Sequence, residues 1–335
     1  MIVFPTTPEE ALAAEGTYRA GGTELQERRR LPGMGGDLVD LRDTEGLRGL
    51  KFGEGGELRI GAKRRMAEIG AHPELRAKYP GFAEAVGGLA TPQIRAVGTM
   101  AGNLLQRTRC WYFRAPETGT RCFKRGGSMC SARRGDHLFH VCFDLGACVS
   151  VHPSTIGMAM LAYDGLVDVA PGGLRPVSAL YGDGTDPRRD HRLEDGALIT
   201  ALVLPAPRAG EHSAYFRAIS RARAEWPLVE ALVRLVVEDG VVREAAIGLG
   251  GVAPVPLRAT AAEATLVGKA ADPDVLAAAA TAATQGASPL PMTGYKVDLV
   301  RGTVLETLER ALARDPVRLA TANHKLPRPA AEDSP

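Results

Sequence analysis

Apolar and polar residues alternate along Asp37–Arg42 (DLVDLR) and Glu57–Ala62 (ELRIGA). That two-residue period predicts strands buried on one face. Before them, Pro8–Glu15 (PEEALAAE) predicts a short amphipathic helix with acidic residues in its first turn. Thr17–Ala20 predicts a strand that runs into Gly21–Gly22 and then a helix capped by Thr23. Met66–Pro80 reads as one helix that Pro80 ends, and Gly81–Ala90 as a second ended by Gly87–Gly88. A Pro-marked turn and a short strand around Ile94–Val97 come next. Ser154 caps a predicted helix reaching Tyr163, and LVDVA (166–170) and LRPVSA (174–179) predict short strands. The polar stretch 182–196 has no period and reads as a loop, whereas Ala197–Pro205 is an apolar strand.

The last third has a different rhythm. Residues 213–220 and 241–252 predict strands, and 227–240 a buried strand or helix, which together predict an antiparallel sheet. Helices follow at 258–268, 273–286 and 297–314, with an Ala run at 277–280 that has high helix propensity. The Pro-rich stretch Pro205–Glu211 is a candidate domain boundary, and the tail from Leu326 predicts disorder.

A chain of 335 residues predicts about two domains, and 45% hydrophobic with 24% charged residues is ordinary for a globular protein. A net charge of +2 argues against nucleic acid or a membrane surface as partner, and Arg28–Arg30 reads as a solvated helix face. The start has no basic region before an apolar run, and no segment has the roughly 18–20 apolar residues of a membrane span, so a cytoplasmic chain without membrane insertion is expected.

All five cysteines lie between Cys110 and Cys148. Eleven residues separate Cys110 from Cys122, seven separate Cys122 from Cys130, and eleven and seventeen separate Cys130 from Cys142 and Cys148. An odd number at tight spacing without an export signal favours metal over disulfides. No pair has the CxxC spacing of structural zinc. Wide spacings with glycine and basic residues between them suit an iron–sulfur cluster, whose negative charge the arginines and lysine between Arg107 and Arg134 would offset. Zinc with His137 or His140 as a ligand is the alternative, and free thiols the third reading. Cys142, between apolar neighbours, is the member expected in a core.

Two small-residue turns, AGGT (20–23) and TMAGN (99–103), suit close backbone approach to a ligand. Two separate turns meeting one extended dinucleotide such as FAD explains both. Gly248–Ala253 matches GxGxxA on paper, but Pro254 and Pro256 forbid the helix a Rossmann site needs. Arg217 and Lys296 are candidates to reach a flavin carbonyl, and His152 reads as a turn residue. No Ser/His/Asp set or HExxH motif is present, so no catalytic residue is assigned. Cofactor holding without substrate chemistry is the pattern of an electron-transfer subunit.

The segments AGGTEL (20–25), LVDLR (38–42), LRIGA (58–62), TPQIRAVGTMAGN (91–103), LITALVLP (198–205) and GGVAPVPLRA (250–259) together resemble the FAD-binding medium subunits of the xanthine dehydrogenase family of molybdenum hydroxylases. NLLQRTRCWYFR (103–114), the spaced cysteines and CVSVHPS (148–154) resemble a narrower group, the flavin subunits of bacterial aldehyde oxidoreductases that carry a 4Fe–4S cluster. The resemblance implies an α+β, two-lobed FAD-binding fold of the vanillyl-alcohol-oxidase (PCMH) type over residues 1–210, with lobes of about 1–55 and 56–210 and an iron–sulfur insert at 104–152. It implies a C-terminal antiparallel sheet-and-helix domain at 211–324, of the CO dehydrogenase flavoprotein type, and a tail at 325–335. It implies FAD contacts at Ala20, Gly21, Gly22, Thr23, Glu24 and Leu25, at Thr99, Ala101, Gly102 and Asn103, with Thr91 and Gln93 nearby. The cluster ligands it implies are Cys110, Cys122, Cys130 and Cys148, with Cys142 spare.

Two departures stand out. Thr155 occupies the place where the family carries a flavin-contacting Asp, and Ala197 one where it often carries Glu. The resemblance implies a heterotrimer with a large molybdenum-cofactor subunit and a small subunit bearing two 2Fe–2S clusters. Electrons from an aldehyde oxidised on the large subunit would pass through those clusters to FAD and on to an external acceptor. A signal-bearing partner would make a periplasmic location the alternative. The competing function classes are a zinc-stabilised binding protein without redox activity and a self-sufficient flavin oxidase.

Overall fold

The computed structural model describes residues 1–313 except 116, 118–120 and 223. The expected disordered tail and the end of the expected C-terminal domain lie outside the described residues. In chain order the elements begin with β1 (Ile2–Val3), α1 (Pro8–Ala13), β2 (Thr17–Arg19), α2 (Leu25–Arg28) and β3 (Leu38–Asp40), whose strands form a parallel sheet β1-β3-β2. Next come β4 (Leu50–Phe52), β5 (Leu58–Gly61) and six helices: α3 (Met66–Ala71), α4 (Pro73–Lys78), α5 (Pro80–Gly88), α6 (Pro92–Val97), α7 (Met100–Leu104) and α8 (Trp111–Arg114). Then α9 (Thr155–Ala162), β6 (Leu166–Ala170), β7 (Gly173–Pro176), α10 (Val177–Tyr181) and β8 (Leu198–Leu204) complete an antiparallel sheet β4-β5-β8-β6-β7. Last are β9 (Glu211–Ala218), β10 (Val229–Glu238), β11 (Val241–Gly250), β12 (Leu257–Arg258), α11 (Thr260–Leu266), α12 (Pro273–Ala282) and α13 (Tyr295–Ala313). Their strands pair antiparallel in the order β12-β11-β10-β9.

Prolines explain where the helices begin. Pro73, Pro80 and Pro92 each take the first position of a helix, where the missing N–H has no intrahelical partner to lose. Met66–Pro80 is therefore two helices broken before Pro73 rather than one. Ile94–Val97 is helical rather than a strand: the Thr91 hydroxyl accepts from Ile94 N at 3.2 Å and caps α6. Thr23 is not a cap, because Glu24 precedes α2 and makes no side-chain cap bond. LRPVSA is a strand only to Pro176 and then turns helical in α10. Ser154 caps α9 as expected, accepting from Gly157 N at 2.9 Å. No helix follows Gly248, since the next one starts at Thr260.

The core explains the ambiguous run at 227–240. In β10 every residue from Val229 to Val236 is buried, because α13 packs on one face of its sheet while α5 and α9 pack on the other. A strand covered on both faces loses its alternation. α9 is buried along its whole length, packed between α5, α7 and α10 and the C-terminal sheet. The C-terminal sheet is thus locked onto the first part of the chain by apolar packing, and its β9–β10 connection reaches the rim of the main pocket.

Candidate functional site

A cavity of about 720 Å³ opens where all three sheets meet. Its volume is in the range of small-molecule and cofactor sites. The wall is drawn from segments within residues 16–28, 62–66, 89–109, 153–155 and 191–199, together with Arg217 and 224–227, though not from every residue in them. Ala20, Gly21, Gly22, Thr23, Glu24, Leu25, Thr91, Thr99, Ala101, Gly102, Asn103, Thr155 and Arg217 all lie in it. Gln93 does not: it sits on the exposed face of α6, whose capped helical geometry turns it away from the wall.

The two turns meet for a backbone reason. A Cβ on Gly21 would stand 2.4 Å from Val97 O and 3.1 Å from Gly98 Cα, so only glycine allows the AGGT turn to lie against the end of α6. Gly22 adds a φ of +69°, which L side chains rarely adopt. In the second turn Thr99 accepts from Gly102 N at 3.3 Å. Asn103 Oδ1 accepts from Ser154 Oγ at 2.8 Å and Ile156 N at 3.3 Å, which ties that turn to the start of α9.

Charge in the wall is mixed, and much of it is held in ion pairs. Arg19 is paired with buried Asp40, and Lys63 donates to the carbonyls of Thr44 at 2.8 Å and Arg42 at 3.0 Å. Glu24, expected to face a cofactor, is engaged by Arg114 at 3.1 Å and Arg28 at 3.4 Å. Arg28 is therefore half-buried wall rather than the solvated face expected of it. Arg109 lies 4.7 Å from the ring centroid of Trp226 and pairs with Glu27 at 3.1 Å, which pins the β9–β10 loop to the cysteine-bearing segment.

Thr155 is buried, and its hydroxyl donates to Glu230, 2.9 Å from Oε2. Tyr215 OH donates to the same oxygen at 2.7 Å. Burial raises the Glu230 pKa above the usual carboxylate value, against the pull of Tyr215, Thr155 and Arg217. The carboxylate missing from position 155 thus lies across from it, on β10. Lys296 does not reach the pocket; it is buried, donates to Gly251 O at 2.9 Å and Phe139 O at 3.2 Å, and burial pushes its pKa down to about 8.

FAD fits this wall by donor chemistry. Arg109 Nε and His191 Nδ1 are buried wall atoms without a hydrogen-bond partner among the described residues, whereas Arg28 Nε is held by Glu24. Guanidinium and glycine N–H donors suit a pyrophosphate, while Leu89, Leu105, Leu193 and Trp226 suit a flat ring. Sequence reasoning missed Trp226, His191 and Leu193, which lie in loops and show no local pattern.

Cys110, Cys122, Cys130 and Cys148 line one small cavity of about 10 Å³ with Phe113, Phe123, Lys124 and Ser150. Cys142 is elsewhere, fully buried in the apolar core of the C-terminal sheet. Burial pushes the Cys110 thiol up to about 11, and Cys122 also rises through burial. Cys130 and Cys148 share a hydrogen bond that splits them, bringing Cys130 down to about 6 and holding Cys148 well up. Cys148 Sγ is also 3.2 Å from Ser150 Oγ. Four thiols with no carboxylate in the cavity wall are donors of the type an iron–sulfur cluster takes. As packed, the space suits no more than about a water, so the thiols must turn apart to hold one. Among the described residues no group of three or more His, Cys, Asp or Glu side chains is placed to hold a single metal ion.

Of the zinc candidates, His137 is engaged through both ring nitrogens, with Gly135 O at 2.8 Å and Met292 N at 3.3 Å. His140 Nε2 lies 3.3 Å from Cys110 Sγ. The basic residues of the insert are not massed around the thiols as expected. Arg107 pairs with Asp190, Arg114 with Glu24 and Glu27, and Arg133 with Asp144, which leaves Lys124 as the cation in the described cavity wall. His152 is buried rather than in an open turn, accepts from Ser154 N at 3.2 Å and is brought down to about 3 by burial.

The FAD binding domain of molybdopterin dehydrogenases matches residues 4–207, and the CO dehydrogenase flavoprotein C-terminal domain matches 214–311. The chain belongs to the FAD-binding medium subunits of the xanthine and CO dehydrogenase family. Among its relatives is the aldehyde oxidoreductase FAD-binding subunit PaoB of Escherichia coli K12, 34% identical over 92% of this chain and 96% of that one. The carbon monoxide dehydrogenase medium chain of Afipia carboxidovorans is 28% identical over 83% and 82%. The structure of carbon monoxide dehydrogenase from Hydrogenophaga pseudoflava superposes with a TM-score of 0.71 at 25% identity, covering 93% of this chain and 97% of that one. This medium subunit is thus an oxidoreductase component with an FAD-binding domain followed by a C-terminal sheet domain. No described helix is long and apolar enough to cross a membrane.

Proposed function

We propose that this medium subunit carries electrons within a heterotrimeric molybdenum hydroxylase that oxidises aldehydes. FAD lies in the 720 Å³ pocket against Ala20–Leu25, Thr91, Thr99, Ala101–Asn103, Thr155 and Arg217. A 4Fe–4S cluster is held by Cys110, Cys122, Cys130 and Cys148. The partners are a large molybdenum-cofactor subunit and a small subunit with 2Fe–2S clusters, and the flavin passes electrons to an external acceptor. The chain divides near residue 210 into the flavin domain and the C-terminal domain, with the cluster insert at 104–152. FAD supplies the step between one-electron carriers and the final acceptor. The chain's own residues bind it, orient it and limit access to it: the two glycine turns bring backbone N–H groups close, and the Arg109–Trp226 stack closes the rim.

The observation that carries this reading is that the AGGT turn packs at Gly21 against Val97–Gly98, the end of α6 that leads directly into the second turn some seventy residues on, so that both turns line one pocket. The test is purification with the neighbouring subunits, followed by flavin and metal analysis and an aldehyde-dependent dye assay. Bound FAD with about eight irons per complex, four from this chain and four from the partner's 2Fe–2S clusters, and aldehyde turnover is the expected result. FAD with only about four irons per complex would remove the cluster from the reading, and aldehyde turnover by the isolated chain would favour a flavin oxidase. The contact between His140 and Cys110 favours a second reading, in which the thiols hold zinc. Stoichiometric zinc in place of iron would select it.

A further inference from the structure

The loop 182–196 buries a carboxylate that no cofactor contact explains. Asp190 is 4% exposed and lies between two cations from the cysteine-bearing segment. One of its oxygens accepts from Arg107 Nε, and the other is 2.9 Å from Lys124 Nζ. Lys124 Nζ also donates to Arg189 O at 2.7 Å, and Arg107 Nη2 donates to Lys124 O at 3.2 Å, which closes the group into a ring. Burial pushes the Asp190 carboxyl up, but the two cations outweigh it and hold the group ionised.

The two cations belong to different sites. Arg107 lies in the wall of the flavin pocket, and Lys124 in the wall of the thiol cavity. The Arg107 guanidinium is also 5.1 Å from the ring centroid of Phe113, whose ring lines the thiol cavity. Apolar side chains of similar volume commonly hold a loop at least as well as a buried ion group does, so loop anchoring alone does not account for this one. A buried pair is screened little by salt and transmits charge through a low dielectric.

We infer that Asp190 is a positioning residue shared by both sites: it fixes Arg107 at the flavin pocket and Lys124 at the thiol cavity, so that the charge at one site sets the electrostatic potential at the other. The inference rests on FAD occupying the pocket. Taking the charge off Lys124 leaves Asp190 balanced by Arg107 alone, which weakens the pull of Arg107 on electrons in the flavin pocket. Taking the charge off Asp190 unmasks Arg107 and strengthens that pull.

The test uses the full chain purified with its FAD and follows the flavin midpoint potential by dye-equilibrated reduction in wild type, Lys124→Met, Lys124→Arg and Asp190→Asn. Lys124→Met is expected to shift the potential negative, Asp190→Asn to shift it positive, and Lys124→Arg to leave it near wild type. Simple loosening of the loop would move all three variants in one direction. Opposed shifts therefore support the coupling, and an unchanged potential in a folded, FAD-bearing Lys124→Met chain overturns it, as do shifts of one sign. Should Asp190→Asn fail to fold, the comparison of Lys124→Met with Lys124→Arg decides the question alone. A wild-type chain without bound FAD overturns the functional reading itself, an outcome distinct from FAD-bearing variants with unmoved potentials.

Discussion

Replacing Gly21 by Ala adds one methyl group at the point where the AGGT turn lies against the end of α6, just before the second turn of the flavin pocket. That methyl would stand 2.4 Å from Val97 O, 3.0 Å from Val97 C and 3.1 Å from Gly98 Cα, all backbone atoms that cannot swing aside. The AGGT turn must therefore retreat from the end of α6, or α6 must shift. Overpacking of this kind costs about 1–3 kcal/mol. If the cost falls on the arrangement that binds FAD, affinity drops roughly 5- to 150-fold. Gly35→Ala, in the loop that follows, is the control, because nothing lies within 4 Å of its would-be Cβ and its φ is not in the left-handed region. The assay is titration of the flavin-depleted chain with FAD by fluorescence quenching, alongside a thermal melt of the apo and loaded forms. FAD affinity for Gly21→Ala within twofold of wild type, with melting unchanged, would refute the argument that this backbone contact shapes the site.

Other outcomes follow from the same structure. Thr155→Asp places a second carboxyl beside buried Glu230 and should destabilise the chain by about 2–4 kcal/mol. One of the two folded pKa values then rises above its unfolded value, so the stability tied to it is full at low pH and lost as pH rises, and adding Glu230→Gln should restore most of it; denaturant melts at several pH values check both. The buried imidazole of His152 titrates at about 3 instead of its ordinary 6.5, so the unfolded chain takes up the proton first and stability falls as pH drops from about 6.5 towards 3. The slope from this group is at most about 1.4 kcal/mol per pH unit, and urea melts of His152→Gln should lack it. Cys142→Ser puts a hydroxyl into an apolar core, so it should cost about 1–3 kcal/mol in urea melts while leaving the iron content unchanged.

The parts of the fold legible in the sequence are those whose geometry is local. Alternation marks β3 and β5, and Ser154 marks the start of α9 because a hydroxyl before an apolar run has a defined capping role. β10 stayed ambiguous because layers on both of its faces erase the period that separates strand from helix. Ile94–Val97 was misread because its branched residues suggest a strand, while the decisive signal was Thr91 capping a helix with Pro92 in its first turn. In the pocket wall, Gly21 was legible because close backbone approach leaves only glycine, and Gly22 because the turn takes a positive φ. Cys142 was separable from the other cysteines by its apolar neighbours, and it lies in an apolar core. Trp226, His191, Asp190 and Glu230 were not legible, since each acts through partners far away in sequence. The arginines of the insert were misassigned for the same reason: their acidic partners, such as Glu24, Glu27 and Asp190, lie in other segments.

Flavin and iron counted in the same preparation test the central claim most directly. The chain purified with its neighbouring subunits, as wild type and as Cys130→Ser, should be assayed for FAD by extraction and for iron by elemental analysis. The account predicts one FAD and about eight irons per wild-type complex, four of them in this chain and four in the partner's 2Fe–2S clusters, with FAD retained and about four irons lost in Cys130→Ser. A wild-type chain without FAD, or a Cys130→Ser chain that keeps its full iron, would contradict it.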